Sequence, residues 1–256
     1  MQAARCNILP ADPTSRNWKG LYTLSGALLV LGLFSSFYVA YLGRILYSPG
    51  YPADPEAYLQ FIAGRQGLAA LTWTLWIVGD LLAIAPTVAM YLLLRPYHRT
   101  LALLGSLVVI FYLIYDVSVT ELNSLTLVGL GQAYAAANSE AVRASLVGAA
   151  TCGYYALPLE TVLSFGIGSL GWLLWCIPMA RSFFGVWTAL FGIAVNIMGL
   201  LGAAYPLFPL SFILGLCQFL CVRLIAVWLC IIGIQLLRYV SRLPKKVADP
   251  DRARPR

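Results

Sequence analysis

The chain has 256 residues, 61% of them hydrophobic and only 11% charged, with a mean hydropathy of +0.81. A water-soluble domain of this length does not carry such a composition, so the sequence predicts an all-α polytopic membrane protein. The net charge of +7 marks topology and anionic lipid headgroups rather than nucleic acid, because the basic C-terminal end is too short and isolated to bind RNA.

Taken in chain order, residues 1–20 form an N-terminal segment, and apolar runs follow at about 21–42, 67–94, 101–136, 144–179, 182–205 and 211–238. Each meets the roughly 20 residues a helical span needs, whereas a membrane barrel would show alternating segments of about 10. Six transmembrane helices are therefore expected, with a flexible basic tail over 239–256. The third and fourth runs are too long for upright spans and must tilt, break or project. No cleavage site of the small-residue kind follows the first run, which reads as a retained span.

Basic residues set the expected orientation. Arg5, Arg16, Lys19, Arg95, Arg99, Arg181, Arg238, Arg242, Lys245 and Lys246 fall on one side, against Arg44, Arg65 and Arg143 on the other. Both termini are thus expected to be cytoplasmic. The largest loop, 43–66, carries Pro49, Gly50, Pro52 and Pro55. Asp54 before Pro55 predicts a helix cap, so a short helix over 56–66 either lies at the interface or covers the bundle end. The remaining connections are short, favouring sequential helices as neighbours in one bundle. Corresponding residues of the two halves do not visibly match, which gives inverted repeats little support.

Counting inward at 1.5 Å per residue places Asp80, Asp116, Asn196 and Arg223 about 21–23 Å from the same membrane edge. An isolated charge in hydrocarbon is costly, so Arg223 is expected to face Asp80 or Asp116, with Asn196 and Gln218 extending the network. Such a network would either fix helix packing or form a cavity that couples an ion. Glu121 and Glu160 count to a second, outer level, where they would line a vestibule with Tyr154 and Tyr155, or sit as ordinary interfacial carboxylates. Pro86 and Pro158 are expected to bend their helices near these acids.

Aromatic pairs precede each acid level: Trp73 and Trp76, Tyr112 and Tyr115, Tyr154 and Tyr155. They could hold an apolar ligand or simply pack between helices. Gly166 with Gly168, and Gly199 with Ala203, would permit close helix contacts. His98, the one histidine, lies in a basic connection, so no histidine-rich metal or haem site is supported. The four acids at membrane depth would hold a metal only with water in a less typical site. Cys6, Cys152, Cys176, Cys217, Cys221 and Cys230 read as packing residues, the four-residue spacing of Cys217 and Cys221 being unfavourable for a disulfide. No triad, phosphate loop or dinucleotide fingerprint occurs, and no cofactor is predicted.

The pattern of Asp80, the segment Asp116-x-x-x-x-Glu121-x-Asn123-Ser124, Glu160 after Pro158, and the terminal run beginning at Ile231 resembles a family of bacterial multispan membrane proteins defined only as a domain of unknown function. That resemblance covers most of the span region; it implies a membrane protein without a settled activity and transfers no catalytic residue. Three readings remain open: a small transporter or permease-like protein with a buried charged cavity, a membrane enzyme acting on a lipid through Glu121 and Glu160, and a structural or sensory subunit. The expected partners are membrane lipids, a small molecule, proton or cation, and a second copy or another membrane protein.

Overall fold

A computed structural model describes residues 18–46 and 52–243. Arg5, Arg16, Cys6, Pro49, Gly50, Lys245, Lys246 and the tail beyond residue 243 lie outside the described residues, as does the side chain of Arg44.

The described residues are helical almost throughout. The helices are α1 (Lys19–Leu46), α2 (Pro55–Ala63), α3 (Gln66–Tyr115), α4 (Leu122–Ala136), α5 (Glu140–Met179), α6 (Gly185–Ala203) and α7 (Phe212–Arg242). A π-helical turn, Asp116–Glu121, joins α3 to α4 without interrupting the rod. Five of these rods are long and apolar enough to cross a membrane, the longest running from Gln66 to Ala136. Their outward faces are apolar: Leu81, Phe111, Ile114, Trp187 and Phe212 are all exposed. Water would not tolerate such a surface, and hydrocarbon requires it; the protein is an integral membrane protein.

The connection expected at 95–100 is a break rather than a loop. Helical hydrogen bonding continues through it, and His98 alone within α3 leaves helical geometry, at φ −163° and ψ 90°. Its Nδ1 accepts from the Leu101 amide at 3.3 Å, so the imidazole caps the second limb of α3 as a polar side chain caps any helix start. Side chains cap other helices in the same manner. Asp54 accepts from the Ala57 amide at 2.8 Å, Ser139 from Val142 at 3.3 Å, and Ser211 from Leu214 at 3.4 Å. Between α5 and α6 the chain reverses within a few residues, ending on Gly185 at φ 80°, a conformation that favours glycine. Pro86 and Pro158 lie inside continuous helices.

Two apolar cores occupy opposite ends of the bundle. One gathers Leu94, Ala102, Met179, Phe184, Trp228 and Leu236 near the His98 break. The other gathers Leu46, Tyr58, Leu59, Ile62, Leu127 and Ala150 around α2. The short helix therefore covers the bundle end: Tyr58, Leu59 and Ile62 are fully buried, and α2 runs so close to α4 that a side chain at Gly131 would meet the Leu59 carbonyl. Tyr154 secures the same region by donating to the Pro52 carbonyl at 2.7 Å. Close passage of α3 against α5 depends on Gly171, where a Cβ would come within 3.0 Å of the Val109 backbone nitrogen. Of the small pairs expected to make contacts, Gly168 lies against Tyr112 and Gly199 against Ser169 and Cys221, while Gly166 faces open space. Cys217 and Cys221 are free thiols.

Candidate functional site

Between the two cores, on the stretches of α3 and α5 that neither core occupies, the bundle holds acids. Asp80 comes from the first limb of α3; Asp116 opens the π-helical turn and Glu121 closes it. Carboxylate oxygens of the three lie within 4.8 Å of one another. Asp80 is 8% exposed and Glu121 2%.

The π-helical turn explains why Glu121 belongs here. On an α-helix, residues five apart are rotated by about 140° and face different neighbours. A turn closed by hydrogen bonds to the fifth residue takes more residues per revolution and brings positions 116 and 121 towards one face. The count that set Glu121 at an outer level with Glu160, as vestibule lining or interfacial carboxylate, is thus corrected for Glu121. It had assumed regular α-helical rise and rotation through a segment that is not α-helical.

Few donors serve these acids. Ser164 on α5 donates to Asp116 Oδ1 at 2.7 Å, and the Tyr112 hydroxyl lies against the cluster. Asp80 and Asp116 are within hydrogen-bonding reach of each other. Asp80 Oδ2 and both oxygens of Glu121 are buried, and no protein donor among the described residues reaches them. Neighbouring Thr120 also leaves its hydroxyl unpartnered, whereas Ser124 donates to the Thr120 carbonyl at 2.9 Å and Ser118 to that of Ile114. Two like charges 4 Å apart repel by roughly 4 kcal/mol at an effective dielectric constant of about 20, so three ionised carboxylates at this spacing need positive charge among them.

Arg223 does not supply it. The depth count placed it level with Asp80 and Asp116, yet its Nη1 donates to the Phe219 carbonyl one turn earlier on α7, at 2.7 Å. Its guanidinium stacks on the Phe219 ring at 3.6 Å. The expected ion pair is not formed, because equal depth fixes height along the bundle but not the direction a helix face points. Asn196 is likewise apart: fully buried on α6, it donates to the Gly192 carbonyl at 2.8 Å. Gln218 lines a groove with Arg223, not the acid cluster.

Glu160 occupies a separate place. Both of its oxygens accept from Asn123 Nδ2, each at 3.1 Å, and that amide also donates to the Gly153 carbonyl at 3.0 Å. Glu121 and Glu160 consequently belong to different clusters rather than to one acid–base pair. Tyr154 packs against Tyr58 and Tyr155, its hydroxyl engaged with Pro52; Tyr155 is exposed. The roles of Ser164 as donor to Asp116 and of Asn123 as partner of Glu160 were not foreseen. The five-residue spacing of Asp116 and Glu121 was the available signal, since it matches a π-helical turn better than an α-helical face.

The groove beside Arg223 has a volume of about 960 Å³ and opens along the first half of α7. Its wall includes Trp76, one turn from Asp80, and Phe165, next to Ser164. The three acids do not line it.

Compared with protein-family models, curated proteins and solved structures, the chain gives no match.

Proposed function

We propose that this protein is a small membrane transporter in which Asp80, Asp116 and Glu121 hold the coupling ion, a proton or a hard metal cation. The observation that carries this reading is the cluster of three acids, Asp80 and Glu121 buried and Asp116 half-buried, whose unpartnered oxygens meet no cationic side chain among the described residues. Within the six expected spans the only basic residue away from the ends is Arg223, and it is bonded to its own helix. Positive charge must therefore come from outside the chain. An all-oxygen donor set suits a proton, Na⁺, Mg²⁺, Ca²⁺ or Mn²⁺ rather than a thiolate-seeking metal. Acids at this depth in a membrane are costly, and ion pathways are where they are usually kept.

In this reading the break at His98 separates the second and third of six spans, and both termini face the cytoplasm, the side that the bias of the basic residues favours, in a bacterial membrane like that of the family the sequence resembles. The chain would then share the layout of the multispan family it resembles. Opening the site to either side requires the helices that carry the acids to move against α5. The π-helical turn is suited to that movement, because its looser hydrogen bonding already departs from a regular rod.

The test is reconstitution in proteoliposomes, with proton and metal-ion flux measured under imposed gradients. Asp80→Asn, Asp116→Asn and Glu121→Gln, each checked for insertion and folding, are expected to abolish cation-driven flux. Flux that persists unchanged in all three folded variants, or a wild type with neither flux nor any cation-dependent change in stability, overturns the reading.

A further inference from the structure

We infer that the groove along α7 is a binding site for amphipathic organic anions, with the oxyanion head on Arg223 and the apolar body against the aromatic wall. The binding claim stands without the transport reading; only the further step, that such an anion is the cargo, rests on it.

Charge complementarity carries the inference. A guanidinium has five N–H donors in a planar fork, and among the described residues Arg223 engages one backbone carbonyl and one ring. No carboxylate of the described residues pairs with it, although three lie elsewhere in the same bundle. Among the described residues the cation thus remains unneutralised some 17 Å along α7 from its first residue, in a mostly apolar wall that includes Trp76, Phe165, Tyr205, Phe212 and Phe219. Stacking on Phe219 orients the guanidinium, which suits bidentate capture of a carboxylate or phosphate. Gln218 adds an amide on the same wall. The groove holds about 960 Å³ and lies open along its length, and its apolar wall with few polar groups suits the body of an amphiphile.

Trp76 provides the readout. In nanodiscs of zwitterionic lipid, an ω-brominated dodecanoate is expected to quench part of the tryptophan emission, and Trp76→Phe to remove that part. Unbrominated dodecanoate and dodecyl phosphate should compete, while dodecanol and dodecyltrimethylammonium of the same chain length should not. Arg223→Gln should weaken the apparent affinity roughly tenfold or more, the loss expected for a charge-assisted hydrogen bond. Arg223→Lys, which keeps the charge and loses the fork, should fall between and guards against misfolding of the glutamine variant. Equal competition by the cationic or neutral amphiphile, or undiminished quenching in both Arg223 variants, overturns the site. So does a particle containing two chains in which Trp76 is shielded from the probe, since the groove would then be covered by a second copy. Glu121→Gln should leave quenching intact, so loss of cation flux and loss of anion binding are read separately.

Discussion

Asp80, Asp116 and Glu121 are packed between two apolar cores with their oxygens within 4.8 Å of one another, whereas Arg223 lies in an apolar groove against its own helix. The two regions hold ionisable groups of opposite sign in a membrane protein, and the one guanidinium would offset one of the three carboxylates if they met. They do not meet. A bundle built only for stability would pair them, since leaving ionised groups unpaired at this depth costs several kcal/mol. Keeping opposite charges apart leaves two sites of opposite sign, joined through α3 and α5 by Trp76 beside Asp80 and Phe165 beside Ser164. Glu160 supplies the internal contrast: its carboxylate receives Asn123 on both oxygens, so neither oxygen is left without a donor.

The comparison can be broken at several points. The largest effect is expected from Gly171→Leu, which forces a side chain into the Val109 backbone and pries α3 from α5; a loss of about 3 kcal/mol in denaturation and of all cation response should follow. Next comes Glu121→Gln. Saturating cation at about 100 times its dissociation constant would raise wild-type stability by about 2.7 kcal/mol, and the variant should lose that increment in a thermal-shift titration. Without added cation, the same variant should be more stable than wild type, because removing one of three like charges relieves repulsion; a destabilised variant would show that the cluster is already neutralised within the chain. Asn123→Ala should cost about 2 kcal/mol in denaturation by leaving the Glu160 carboxylate without its donor, while leaving cation response in place. The smallest effect belongs to His98→Ala, which removes the cap at the break and should cost about 1 kcal/mol, seen as faster amide exchange at Leu101 with both sites retained.

Much of the architecture was legible beforehand because hydrocarbon imposes it. Apolar runs, the Asp54 cap and the short connections all follow from satisfying backbone groups locally, and local rules need only local sequence. The candidate site was half legible. Asp80 and Asp116 share a depth, and they do meet; Asn196 and Arg223 share it equally well, and neither they nor Gln218 join them. Counting along a helix gives height, while the direction of a side chain depends on how each helix is turned about its axis, and that is settled by packing against neighbours. Glu121 shows the second limit, for a single π-helical turn altered both rotation and rise downstream of Asp116.

By itself, then, the sequence determined the solvent, the helical class and the presence of ionisable groups deep in the bundle, because the cost of exposing backbone and charge to hydrocarbon leaves few alternatives. Only the tertiary structure decided which of those groups are neighbours. Close passage at Gly171 and the turn from Asp116 to Glu121 gather the acids, and the same packing sends Arg223 to another face.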